Sequence, residues 1–216
     1  MVTLEELAFK YKTDKSAKYI CPSMHGYTLT YDTILSPFRE DEIRLLEVGV
    51  CMEYTKGGHS IRMWYDYFQN ASIFAFDIVD MSFLENDRVK FFRGDQSIRE
   101  DFQSMYKSFG SEEFDFIIED GSHQHPHQMI SLASLFKYVK SDGIYFLEDI
   151  SIPEHNVCCI RNDETYMVLQ KFIETGKIES NYILPDEKFY LETHIKSIEI
   201  KPDIQNAYAV AIITKK

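Results

Sequence analysis

The chain has 216 residues, 44% hydrophobic and 27% charged, enough apolar material for one full core and too little for two comfortable ones. Lys and Arg number 23 against 35 Asp and Glu, a formal net charge of −12, which argues against the clustered positive surface that nucleic acid or an anionic membrane requires and points to a small-molecule substrate. No apolar run approaches the ~18 residues of a membrane span, and the opening MVTLEELAFKYKTDK has no apolar signal core, so a soluble cytoplasmic protein is expected.

In chain order, residues 3–11 form the first expected helix, with Thr3 and Glu6 spaced as a capping box, and residues 27–35 the second. Residues 43–48 read as a short apolar strand. Gly57 and Gly58 then open a helical pattern over 59–68. A second strand covers 71–77 and a third 89–93, the latter running into Gly94-Asp95-Gln96; a helix follows over about 97–109. The fourth strand, 114–119, leads through Asp120-Gly121-Ser122-His123 to an apolar helix over about 128–139, and the fifth strand, 143–147, ends in Glu148-Asp149. Strands that alternate with helices in this way predict an α/β fold with a doubly wound, Rossmann-like parallel sheet. A helical stretch near 164–174 and two β-rich runs, 195–200 and 207–213, complete the chain. Only six residues, 201–206, join those runs, too few for a parallel crossover, so they should form an antiparallel hairpin.

The expected organisation is a single domain: a helical lid over 1–40, a cofactor-binding core over 41–150, an acceptor-site insertion over 151–193 and a C-terminal hairpin over 194–216. The cysteines, Cys21, Cys51, Cys158 and Cys159, lack metal-ligand spacing, and the vicinal pair suits reduced thiols better than an ordinary disulfide.

Ligands of an open parallel sheet lie outside the carboxyl ends of its strands. Here those ends are Glu47, Asp77, Asp95, Asp120 and Glu148-Asp149, all acidic. The turn Gly49-Val50-Cys51 does not fit GxGxxG, which weighs against a dinucleotide enzyme. Asp77 can accept both hydroxyl protons of a ribose, and Asp95-Gln96 offers an acceptor beside an amide, suited to the edge of an adenine. Asp120, Glu148 and Asp149 make a hard-oxygen set for Mg²⁺ rather than zinc. A cation also explains how clustered carboxylates tolerate one another. In His123-Gln-His125-Pro-His127 the central proline marks a helix entrance rather than a zinc cage. His123, three residues after Asp120, is the candidate general base, while His125 and His127 read as surface or supporting residues. Glu119 has no assigned role.

Taken with Thr13-Asp14-Lys15, His25, Tyr27 and Tyr31, the segments LLEVGV, SIRMWYDYF, FDI, RGDQS, FDFIIEDGSH and GIYFLEDI resemble the metal-dependent S-adenosylmethionine O-methyltransferases of the macrolide-sugar type, over residues 13–150. The resemblance implies a class I sheet of seven strands, the last antiparallel, with Mg²⁺ on Asp120, Glu148 and Asp149 and with His123 as the base. It further implies Glu47 and Gly49 at the methionine end of S-adenosylmethionine, Asp77 at the ribose, Asp95 and Gln96 at the adenine, and Thr13 and Lys15 closing the site. Cys51 stands where a further glycine is common, the run 52–56 is untypical of a glycine-rich turn, and the stretch after Asp149 departs from the macrolide enzymes. The last of these makes residues 151–193 the expected seat of acceptor choice. The implied reaction is methylation of a sugar hydroxyl on a glycan precursor or glycosylated natural product by a homo-oligomeric enzyme. A catechol-like phenol would suit the same parts, and a non-catalytic cofactor-binding domain is the alternative of another class.

Overall fold

The computed structural model describes residues 2–19, 25–51, 56–152, 163–203 and 208–216. Within them, strands β1 (Arg44–Val48), β2 (Ser72–Asp77), β3 (Val89–Arg93), β4 (Phe114–Glu119), β5 (Val139–Ser151), β6 (Ile195–Pro202) and β7 (Tyr208–Lys215) form one sheet in the order β3-β2-β1-β4-β5-β7-β6. The first five run parallel, and β7 inserts antiparallel to both β5 and β6. The helices are α1 (Leu4–Tyr11), α2 (Thr28–Leu35), α3 (His59–Tyr67), α4 (Arg99–Ser108), α5 (His125–Leu135), α6 (Asp163–Thr175) and α7 (Pro185–His194).

A parallel sheet covered on both faces needs apolar side chains on both. Leu46, Phe74 and Ile117 therefore pack with Phe102, Met129 and Leu132 on one face, while Leu45, Ile73 and Phe146 pack with Tyr31, Trp64 and Tyr67 on the other. The strand order reverses between β1 and β4, and the crevice outside their carboxyl ends is where such a sheet receives a ligand.

The capping box at Thr3 is present: its hydroxyl accepts the Glu6 amide and the Glu6 carboxylate accepts the Thr3 amide. Three elements differ most from the sequence reading. Helix α5 begins at His125, because Pro126 in its first turn supplies a preset φ where no amide donor is needed. Strand β5 runs from Val139 to Ser151, since its irregular ends still find partners on β4 and β7. Helix α7 was not foreseen; Pro185 stands in its first turn and Glu187 accepts the Leu184 amide at 2.9 Å, a start signal hidden in a polar stretch. Cys21, Cys158, Cys159, residues 52–55 and the hairpin turn 204–207 lie outside the described residues. No helix among the described residues is long and apolar enough to cross a membrane.

Candidate active site

The β1 and β4 turns lie against each other. The Gly49 amide donates to Phe76 O at 2.9 Å and the Asp120 amide to Val48 O at 2.8 Å. Gly49 has φ +84°, and a Cβ there would lie 2.0 Å from the Asp120 carbonyl oxygen, so only glycine lets the turns approach this closely. Gln96 supports the second turn: its Oε1 accepts the Ser122 amide at 2.6 Å, while its Nε2 donates to Glu119 at 2.7 Å and Ser131 at 3.2 Å.

Beyond that turn His123 takes φ +58°, and at the end of β5 Asp149 takes φ +56°. These left-handed positions aim both side chains into the crevice, where Asp120, His123 and Asp149 each offer one ligand atom, all within 4.8 Å of one another. His123 Nε2 is 3.5 Å from Asp149 Oδ2. Burial works against the charged form of His123, but Asp149, Asp120 and Glu119 outweigh it and raise its pKa. Asp149 runs the other way: burial opposes its charge, while His123, His25 and the Tyr27 hydroxyl, which donates at 2.8 Å, hold it below the usual carboxylate range.

Glu148 does not join that trio. One of its oxygens accepts the Tyr31 hydroxyl at 2.5 Å and the other accepts Lys15 Nζ at 2.8 Å. Lys15 is buried, and its ammonium also touches Asp120 and stands 3.6 Å from Glu47. Burial opposes its charge, yet Asp120, Glu148 and Glu47 together keep the ammonium well above its ordinary pKa. Burial pushes Asp120 up to about 6 and Glu47 up to about 7, each against the opposing pull of Lys15. Glu47 also accepts Trp64 Nε1 at 3.1 Å.

The residues expected at the nucleoside are engaged within the chain. Asp77 Oδ2 accepts the Val50 and Cys51 amides, both at 2.8 Å, and its Oδ1 accepts the Val79 amide at 2.8 Å, so this carboxylate shapes the loop after β1. Asp95 accepts the amide and hydroxyl of Ser97, bonds that lower its pKa. Thr13 is buried beside Lys15, whose amide lies 3.4 Å from the Thr13 hydroxyl.

Sequence reasoning gave no role to five residues that shape the site. His25 stacks on the Tyr27 ring and places Nε2 3.3 Å from Asp149, while Tyr31 and Tyr27 donate to the two adjacent carboxylates of β5. The spacing of Tyr27 and Tyr31, one helical turn apart, was a usable signal; Asp203, which faces the other nitrogen of His25 at 3.6 Å, had none. Glu119 is fully buried and pushed up to about 7, chiefly by burial. His125, read as a surface or supporting residue, is buried: Nδ1 meets the Thr165 hydroxyl at 2.9 Å, and Thr165 continues through Gln128 to the Glu148 carbonyl, tying α6 to the end of β5.

Comparison with known proteins places this fold among methyltransferases. The chain is 34% identical over 143 residues to mycinamicin VI 2''-O-methyltransferase of Micromonospora griseorubida, covering 64% of this chain and 35% of that protein. It is 34% identical over 149 residues to demethylmacrocin O-methyltransferase of Streptomyces fradiae, covering 68% and 36%. The solved structure of the MycE methyltransferase of the mycinamycin pathway, in complex with Mg, SAH and mycinamycin VI, superposes with a TM-score of 0.74 at 27% identity, over 99% of this chain and 54% of that one. No family model matches the sequence. The chain is thus related to sugar O-methyltransferases and has the class I methyltransferase fold, while spanning about a third of the length of the curated relatives it matches.

Proposed function

We propose that the chain is an S-adenosylmethionine-dependent O-methyltransferase that uses Mg²⁺ and acts on a sugar hydroxyl of a glycosylated small molecule or glycan precursor. The observation that carries this reading is the convergence of Asp120, His123 and Asp149 within 4.8 Å outside β4 and β5, in a chain that aligns over 99% of its length with a Mg- and SAH-bound sugar methyltransferase. The donor set fits the ion: carboxylate oxygens with one imidazole beside them suit a hard divalent cation. Asp120 and Asp149 would hold it, joined by Glu148 once that side chain turns from Lys15. When bound, the cation supplies positive charge against the alkoxide character that develops on the acceptor.

The remaining work falls to the chain. His123, with Nε2 3.5 Å from Asp149 Oδ2, would take the hydroxyl proton as the acceptor oxygen attacks the methyl carbon; the C–O bond would form, the C–S bond of the sulfonium break, and S-adenosylhomocysteine leave. Gly49 and Glu47 would line the methionine end, Asp77 the ribose, and Asp95 with Gln96 the adenine side. Residues 1–40 with Thr13 and Lys15 would cover the crevice, and 151–193 would shape the acceptor pocket. The acidic balance favours this small-molecule chemistry over nucleic acid. Assembly into a homo-oligomer is part of the same reading and is checked by light scattering.

The test is direct. Purified protein incubated with S-adenosylmethionine, Mg²⁺ and a panel of glycosylated macrolides and free sugars should release S-adenosylhomocysteine, and a chelator should stop it. Turnover of catechols but not of sugars would move the acceptor class, and no binding of S-adenosylmethionine by calorimetry would end the enzyme reading.

A further inference from the structure

Lys15 joins the carboxylates of three strand ends, β1, β4 and β5. Its side chain is 1% exposed, and its ammonium touches Asp120 after β4, Glu148 in β5 at 2.8 Å and Glu47 in β1 at 3.6 Å. Of these, Asp120 and Glu148 accept hydrogen bonds from the ammonium, while Glu47 is close enough only for an ion pair. The backbone around it is fixed as well: the Thr28 amide donates to the Lys15 carbonyl at 3.2 Å, which moors the Thr13-Asp14-Lys15 turn to the start of α2.

Two consequences follow for the candidate cation site. Glu148, with one oxygen on Lys15 and the other on Tyr31, stands apart from the group formed by Asp120, His123 and Asp149. Asp120 belongs to both groups, touching Lys15 and offering a ligand atom beside Asp149.

We propose that Lys15 is a resident counter-cation that competes with the divalent ion for Asp120 and Glu148, and so sets how tightly that ion is held. The inference rests on the reading that Asp120 and Asp149 hold the ion. Two physical effects oppose each other. An ammonium a few ångströms from a divalent cation in a poorly screened interior repels it, so removing the lysine should tighten ion binding by about tenfold or more. The same removal leaves the buried Glu47 and Glu148 and the half-buried Asp120 without their cation, which destabilises the ion-free protein. Lys15 thus lets the acidic crevice fold without metal, at the expense of metal affinity.

The experiment is a calorimetric titration of Mg²⁺ into the metal-free full chain, repeated with Mn²⁺ followed by electron paramagnetic resonance, for wild type, Lys15→Met and Lys10→Met. Thermal melts in chelator and in Mg²⁺ accompany it. Lys10 pairs with Asp66 at the surface, so its variant controls for net charge alone. The expected result is an ion affinity about tenfold or more tighter in Lys15→Met, with a larger rise in melting temperature on adding Mg²⁺ than wild type shows, and Lys10→Met matching wild type. An unchanged or weaker affinity in Lys15→Met overturns the inference, as does an equal change in Lys10→Met. Should Lys15→Met be unfolded in chelator, recovery of its near-ultraviolet circular dichroism on adding Mg²⁺ supports the competition, and no recovery overturns it. Absence of ion binding by the wild type would remove the metal reading and this inference together, whereas wild-type binding that Lys15→Met leaves untouched removes the inference alone.

Discussion

Asp203, at the far end of the C-terminal hairpin, stands 3.6 Å from Nδ1 of His25, while Nε2 of the same ring faces Asp149 at 3.3 Å. Asp203 also accepts the Gly26 amide at 3.0 Å. His25 thus stands between Asp149 at the end of β5 and a carboxylate some fifty residues beyond it. Asp203→Ala should cost roughly 1–3 kcal/mol of stability, because it leaves a buried amide and imidazole without that acceptor. Asp203→Asn, which still accepts the Gly26 amide, should recover part of the loss in a urea titration; equal destabilisation by both would show that the amide bond is not what matters.

His123→Ala should leave S-adenosylmethionine affinity close to wild type and lower kcat by ~10²–10⁴, the range of a lost general base. Calorimetry and steady-state rates measure the two separately. Unchanged turnover would remove His123 from the mechanism.

Glu47 gives a pH dependence whose sign can be worked out. Burial raises its folded pKa from the ordinary 4.5 to about 7, so the folded state binds this proton more tightly than the unfolded chain. Its contribution to stability is then greatest below pH ~4.5 and declines as pH climbs towards ~7. Glu47→Gln, which cannot ionise, should match wild type near pH 4.5 in chelator and be the more stable protein at pH 8. Melting curves across that range check it, and a difference that shrinks with rising pH contradicts the burial argument.

Gly49→Ala combines a left-handed φ with a Cβ 2.0 Å from the Asp120 carbonyl, so one of the two turns must move. The expected loss is roughly 3 kcal/mol or more. Cofactor affinity should fall as well, since the displaced turn carries Val50 and Cys51, the amides that Asp77 holds. A variant as stable as wild type would mean that the turns are not in contact.

Trp64→Phe keeps the buried ring but removes the donor to Glu47. A loss of roughly 1–3 kcal/mol is expected from an acid left short of a partner. In the double variant with Glu47→Gln that loss should become smaller, which a double-mutant cycle reads directly.

The parallel core was legible because its signals are local. Each strand from β1 to β4 is a short apolar run closed by an acid or glycine, and the hairpin followed from the shortness of its connection. The positions of Asp120, His123 and Asp149 could be read for the same reason, since strand ends of a parallel sheet share one edge. What could not be read was which carboxylates would take a proton donor from elsewhere. Glu148 faces Tyr31 and Lys15, and Gln96 turns to Glu119, through contacts between residues up to 133 apart in the chain. Helix α7 escaped because its apolar face is narrow: Leu191 is buried, while Phe189 is 70% exposed.

The insertion of β7 between β5 and β6 also governs the order in which the sheet can be made. Strand β5 forms an exposed edge once β1 to β4 are in place, and β6 cannot cover it, because its own partner is β7. Pairing across more than fifty intervening residues is slow compared with closing a hairpin. Until residues 208–215 pair with it, the side of Tyr145 to Leu147 that faces away from β4 is an open sheet edge, the kind of edge that invites edge-to-edge association.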